Sequence, residues 1–329
     1  MDLNSFITFI IIVTYNSSDF IEKCMDSLNI NGSKNCFFAV IDNNSADDTE
    51  EKIKGFIKSY KIGENNFKFI RLKRNIGFAA AVNCAVFNFL IKEKPELSEK
   101  IKYLVLLNPD IVIESNSISN LIGTFKLNSS SNLIKPGKAV GAAGGLIYEY
   151  NKSKIQHAGG AFKDNLITYH LLSTLGSIYQ VSYVTGALFA TEFSLFRNLG
   201  GFDSGYRPAY FEELDYCIKI KRIGFSIMVN TEVLAKHYGA ASVKKFSPKF
   251  FKYYHKNRIR CAILHLSLPV LFKKFLPAEL KWLKNKATKD QYISLLYSYF
   301  LNFLFLPYNL IIRLENYLKF CKLKSKLNF

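Results

Sequence analysis

Three carboxylates fall within four positions in Phe211-Glu212-Glu213-Leu214-Asp215, directly after an aromatic segment. Like charges this close raise one another's pKa, which suits a general base working near neutral pH. The plain alternative is an acidic helix start, where carboxylates complement the macrodipole. A further carboxylate, Asp110 of Asn108-Pro109-Asp110, closes a hydrophobic run at 104–107 and precedes Ile111-Val112-Ile113. That position suits a hard divalent cation bridging two phosphates. His237, in Ala235-Lys236-His237-Tyr238-Gly239, could help complete such a site, although a lone histidine is more often a structural hydrogen-bonding group.

Residues this far apart need a scaffold that brings them to one edge. The β-branched and aromatic runs at 6–13, 36–41, 67–72 and 103–107 read as strands buried on both faces. Helical patterns at 20–28, from Asp47 to about Tyr60, and at 79–91 lie between them. This alternation predicts an α/β fold with a doubly wound, mostly parallel sheet, which binds ligands at the carboxyl ends of its strands. Four polar clusters fall at those ends: Thr14-Tyr15-Asn16, Asp42-Asn43-Asn44, Arg74-Asn75-Ile76-Gly77 and Asn108-Pro109-Asp110. Each alone could be an ordinary turn; four on one edge point to a site. Asp42 could accept hydrogen bonds from a base or ribose, and Arg74 could meet a phosphate. No G-x-G-x-x-G follows the first strand and no G-x-x-x-x-G-K-[ST] occurs, which argues against dinucleotide cofactors and P-loop chemistry. Beyond the fourth strand the pattern loosens; 181–191 reads as a strand and 215–223 as a helix.

The 329 residues, 49% hydrophobic, suffice for a large domain with an appendage. The six cysteines have no close ligand spacing and read as buried thiols of a reducing compartment. The N-terminal apolar run has neither a basic flank nor a small-residue cleavage site, so a signal peptide is not expected. Of the net charge of +18, residues 241–329 hold +15, with 18 Lys and Arg against 3 Asp and Glu. An excess of this size implies an anionic partner. It sits beside two apolar segments, 261–276 and 292–312; the second is rich in Tyr and Phe and contains Pro307. Aromatic and basic residues together suit a helix lying in the headgroup region of a membrane. The alternative is a helical hairpin packed on the catalytic domain. No nucleic-acid module is recognisable, so nucleic acid is not the expected partner.

The ordered set Ile11-Ile12-Val13-Thr14-Tyr15-Asn16, Ile41-Asp42-Asn43-Asn44-Ser45, Arg74-Asn75-Ile76-Gly77-Phe78, Leu107-Asn108-Pro109-Asp110, Gln156-His157-Ala158-Gly159-Gly160, Thr185-Gly186-Ala187, Gly200-Gly201-Phe202-Asp203 and Phe211-Glu212-Glu213-Leu214-Asp215, with His237, resembles family 2 glycosyltransferases of the GT-A fold. Within them it looks most like the rhamnosyltransferase-like branch. The resemblance implies a catalytic domain over 1–245 and a helical, membrane-associating region over 246–329. It implies that Thr14, Tyr15, Asn16, Asp42 and Asn44 line a nucleotide pocket, and that Arg74, Asn75 and Gly77 lie near ribose and phosphates. Asn108-Pro109-Asp110 stands where the family has an Asp-x-Asp motif, with Asp110 as the ligand of Mn²⁺ or Mg²⁺ and His237 assisting. Glu213 stands at the family's base, with Glu212 as its rival. Gly186 and Ala187 leave room for the sugar. The expected reaction is an inverting displacement from a nucleotide sugar, dTDP-rhamnose or a UDP-sugar, to a glycan or polyprenyl-linked saccharide. The expected location is peripheral, on the cytoplasmic face of the cell membrane. Competing readings are a nucleotidyltransferase and a basic, non-catalytic binding protein.

Overall fold

The computed structural model describes residues 7–33, 35–127, 139–239 and 246–327. Strands β1 (Ile7–Thr14), β2 (Cys36–Asp42), β3 (Phe67–Arg71) and β4 (Ile101–Leu107) pair in parallel in the order β3-β2-β1-β4. Alternate residues of a strand point to opposite faces, and β1 feeds two cores in this way. Ile10 and Ile12 pack with α1 (Ile21–Ser27) and α2 (Thr49–Ser59). Phe9, Ile11 and Val13 pack with α3 (Phe78–Asn83) and the wider helical turns that continue it over Cys84–Glu93. Covering on both faces explains the unbroken hydrophobic runs. A short α4 (Pro95–Lys100) leads into β4, and strand order reverses between β1 and β4, where a crevice opens.

The second half builds outward from β4. Here lie β5 (Ile111–Ile113), α5 (Ser117–Gly123), β6 (Val140–Glu149), β7 (Ile155–His157), the two-stranded β8 (Gly160–Phe162) and β9 (Thr168–His170), then β10 (Ile178–Gln180) and β11 (Leu188–Glu192). Next come α6 (Phe193–Leu199), α7 (Glu212–Arg222) and β12 (Ser226–His237). β11 runs antiparallel to β4 and β6, β12 runs parallel to β6, and β10 closes that edge, extending the sheet to ten strands. The strand expected over 181–191 therefore shrinks to its last residues, because Thr185-Gly186-Ala187 turns into the crevice instead. The helix expected at 215–223 starts earlier, at Glu212.

The C-terminal region is helical: α8 (Pro248–His265), α9 (Leu268–Val270), wide turns over Leu271–Phe275, α10 (Leu276–Lys286), α11 (Lys289–Leu304) and α12 (Leu306–Leu327). The apolar stretch 261–276 is split among α8, α9 and the turns after them. The stretch 292–312 bends by 70° between α11 and α12; Pro307, second in α12, has no N–H to continue the ladder. Among the described residues no single helix is long and apolar enough to cross a membrane. Helix α8 is bolted to its surroundings by buried ions. Arg258 donates to Glu279 at 2.8 and 2.5 Å and to the Asn165 carbonyl at 2.6 Å, and Arg260 pairs with Asp203 at 2.6 Å. The expected domain boundary at 245/246 adjoins residues 240–245, which lie outside the described residues.

Candidate active site

A cavity of about 560 Å³ opens at the carboxyl ends of β1 and β4. Eleven of the fifteen residues expected from the sequence line it: Thr14, Tyr15, Asn75, Gly77, Asn108, Asp110, Gly186, Ala187, Glu212, Glu213 and His237. Asn16, Asp42, Asn44 and Arg74 are not in its wall. Asp42 is fully buried, and its carboxylate accepts from Thr14 Oγ1 at 3.1 Å and from the Ser45 amide at 3.2 Å. Its oxygens are thus already engaged in folding the β2–α2 turn. Asn16 Oδ1 accepts from the Ala46 amide at 2.8 Å, tying the β1–α1 loop to that same turn. Asn44 and Arg74 are exposed.

Asn43, noted in the sequence only as part of its cluster, is the member that reaches the cavity. It is buried, its Oδ1 accepts from the Ile76 amide at 2.9 Å, and its Nδ2 donates to Asn75 Oδ1 at 3.1 Å. Asn75 Oδ1 also accepts from the Gly77 amide at 2.9 Å. Gly77 has φ +87°, and a Cβ there would meet the Pro208 carbonyl at 2.9 Å, so only glycine fits.

Asp110 and His237 are 127 positions apart, yet Nε2 of His237 lies 3.1 Å from Oδ1 of Asp110. Pairing of β12 with β5 sets His237 opposite Ile111 and so creates this proximity. On its other side, His237 Nδ1 meets Gln156 Oε1 at 2.6 Å. An imidazole that donates from Nδ1 to an amide oxygen turns the lone pair of Nε2 toward its neighbour. A carboxylate and an imidazole so arranged would supply two donors to a divalent cation. Among the described residues no group of three or more His, Cys, Asp or Glu side chains could hold a metal by itself.

Across the cavity, α7 begins at Glu212. It is preceded by Tyr210 and Phe211, both at φ +80°, a costly conformation for bulky side chains. Asn257 of α8 holds this turn by donating to the carbonyls of Ala209 and Tyr210 at 2.9 Å each. Burial, reinforced by the charge of Glu213, pushes the Glu212 carboxyl well above the ordinary carboxylate range, and its Oε2 has no partner. Burial also raises Glu213, against the opposing pull of backbone amides, including that of Gly186. Gly186 leaves open the space between Phe78 and Glu213: a Cβ there would stand 3.5 Å from the Phe78 ring and 4.0 Å from Glu213 Cδ. Asp215 plays no part in the cavity wall; it is fully buried and pairs with Lys219 at 2.6 Å. Lys249 and Tyr253, from α8, complete the wall. The sequence gives no local signal for them, because α8 lies in the segment that reads as an appendage.

This sheet, with a crevice at the β1/β4 reversal and paired carboxylates facing it, has the GT-A fold. Residues 9–135 match the profile of glycosyl transferase family 2. The chain is 24% identical over 271 residues to the rhamnosyltransferase WbbL of Escherichia coli K12, covering 77% of this chain and 91% of that protein. Its fold superimposes on GalNAc-T7 with UDP, GalNAc and Mn²⁺ with a TM-score of 0.60 at 18% identity, over 80% of this chain but only 48% of that one. It also superimposes on the mannosyltransferase PcManGT of Pyrobaculum calidifontis, in complex with GDP-Man and Mn²⁺, with a TM-score of 0.53 at 14% identity, over 97% and 84% of the two chains. The N-terminal part of the chain thus resembles glycosyl transferase family 2, and most of its length is similar to a rhamnosyltransferase.

Proposed function

We propose that the enzyme moves a hexosyl group, with inversion, from a nucleotide sugar to a glycan or polyprenyl-linked saccharide in surface polysaccharide synthesis. The donor is dTDP-rhamnose or a UDP-sugar. The observation that carries this reading is the placement of Glu213 and the Asp110–His237 pair in the wall of one cavity, with the space beside Gly186 open between Phe78 and Glu213. The UDP, GDP-Man and Mn²⁺ named with the structural relatives support a nucleotide-sugar donor and a divalent ion.

In this mechanism the nucleotide lies against Thr14, Tyr15, Asn43 and Asn75. Asp110 and His237 would hold a divalent ion, which would supply positive charge against the diphosphate. The Glu213 carboxylate takes the proton from an acceptor hydroxyl. That oxygen bonds to the anomeric carbon as the bond from carbon to the diphosphate oxygen breaks, so a single displacement inverts the centre. Burial, with the charge of Glu213, raises the Glu212 carboxyl well above the ordinary range and so favours its neutral form beside the base. Acceptors enter past Tyr210, Lys249 and Tyr253. The enzyme works peripherally, at the cytoplasmic face of the cell membrane.

The test is a binding and turnover panel of nucleotide sugars with and without Mn²⁺, on the wild type and Glu213→Ala. Metal-dependent binding of one donor, retained in the variant while turnover is lost, supports the reading. Turnover unchanged by Glu213→Ala overturns the base assignment.

A further inference from the structure

The α11–α12 pair is built inside out. Its polar residues Ser294, Ser298, Asn302, Asn309 and Asn316 recur at spacings of four and seven and are all buried. Helical periodicity places residues with these spacings on one face. Part of this face is bonded to α8: Asn302 donates to the Lys256 carbonyl at 2.9 Å and Asn309 accepts from Arg260. The opposite face is apolar and open. Leu296, Phe300 and Phe303 are 71%, 64% and 77% exposed, and Ile311, Leu314 and Leu318 continue the ridge beyond the bend. A helix of a soluble domain puts its apolar stripe inward; here the polarity is reversed.

We infer that this ridge is a seat in one leaflet of an anionic bilayer, with both helices lying in the interface rather than crossing it. The occupant is lipid because the surrounding charge is complementary to it. Residues 291–312 carry no charged side chain, whereas exposed Lys286 and Lys289 precede the ridge and Lys319, Lys322 and Lys324 follow it. Lysines flanking an apolar helical face favour acidic headgroups. Arg313, the one basic residue within the ridge, turns inward to the carbonyls of Ile263 and Leu266. Crossing is opposed by the 70° bend and by the asparagine seam, which fixes both helices to α8. The lysines sit at the two ends, where a helix pair in the interface plane can reach headgroups on one side. This inference rests on the proposed membrane location and names the surface responsible.

The experiment uses the full chain. Its flotation is measured with phosphatidylcholine vesicles containing or lacking phosphatidylglycerol, for the wild type and for Phe300→Ser/Phe303→Ser/Leu314→Ser. The wild type should float with the anionic vesicles, be stripped by alkaline carbonate, and lose at least about tenfold in partition when the ridge is changed. Because these side chains are exposed, the variant should keep its circular dichroism spectrum and its nucleotide-sugar binding. Equal flotation of the variant overturns the seat. Resistance to carbonate overturns the in-plane placement. A dimer of the intact chain in lipid-free buffer that the variant dissociates assigns the ridge to a second copy instead. Loss of donor binding by the wild type would count against the transferase reading while leaving the flotation result interpretable.

Discussion

The Asp215 carboxylate accepts a 2.6 Å hydrogen bond from Nε2 of His265, and this contact joins the acidic segment of α7 to the end of α8. Lys219 and Tyr206 bind the same carboxylate, which the charge of Lys219 and the contact with His265 hold far below the usual carboxylate range. The third acid of the motif therefore fastens the C-terminal region, one turn away from the cavity. Asp215→Ala leaves Lys219 buried and unpaired and should cost about 3–5 kcal/mol in urea unfolding.

Three buried histidines add a pH dependence. His265 and His157 are held below their ordinary pKa by burial, and His255 is pushed down to about 3. A histidine with a depressed folded-state pKa binds its proton more readily in the unfolded chain. Stability is fully present above about pH 6.5 and is lost as the pH falls toward the folded-state values. The depressed Asp215 acts in the same direction further into acid. Glu212 and Glu213, whose folded-state pKa values are raised, act in the opposite sense over the same range, so urea midpoints should fall more steeply from pH 7 to pH 5 in Glu212→Gln/Glu213→Gln than in the wild type; a flat profile in that variant would contradict the burial of these rings.

Glu213 and Glu212 should separate kinetically. Glu213→Gln should lower kcat by about 10²–10⁴ with donor binding intact. Since the base must be ionised and its pKa is raised, turnover in the wild type should rise with pH through a midpoint above the ordinary glutamate value. Glu212→Gln, which replaces an acid that burial biases toward its neutral form, should cost less and leave that midpoint near the wild-type value. The reverse ranking in kcat would reassign the base.

Gln156 touches His237 but lies outside the cavity wall, so it serves as a positioning residue. Gln156→Leu should weaken Mn²⁺ activation by about 10–100-fold while donor affinity at saturating metal is restored. A metal titration of turnover checks this; an unchanged half-saturation concentration would remove Gln156 from the site.

Asn257 holds the left-handed turn before the carboxylates. Asn257→Leu leaves two carbonyls without their donor and should cost about 1–3 kcal/mol. It should also lower kcat with donor affinity unchanged, because the turn sets the direction of Glu213 and not the nucleotide wall. Paired calorimetry and kinetics separate the two effects.

The parallel half of the sheet is legible in the sequence because both of its faces are covered, which leaves unbroken runs such as Ile10-Ile11-Ile12-Val13. The polar ends of those strands are legible for the same reason: a turn residue stands out against an apolar run. Which member of a cluster faces inward is not legible. Asp42, Asn43 and Asn44 look equivalent in sequence, and only the turn geometry sends Asn43 to the cavity while Ser45 engages Asp42. Asp110 and His237 are each legible as candidates, but their contact depends on strand pairing across 127 positions. Lys249 and Tyr253 are not legible because composition marks their helix as basic and apolar, which describes its neighbours better than its own cavity-facing residues.

Helix α8 faces two environments at once, with Lys249 and Tyr253 in the cavity wall and the Lys256 carbonyl and Arg260 in the seam with α11 and α12. Shortening the chain to obtain a more tractable enzyme would therefore disturb the reaction chamber along with the hydrophobic tail. Exchanging the outward-facing side chains of α11 and α12 instead changes the apolar ridge while leaving the cavity wall whole.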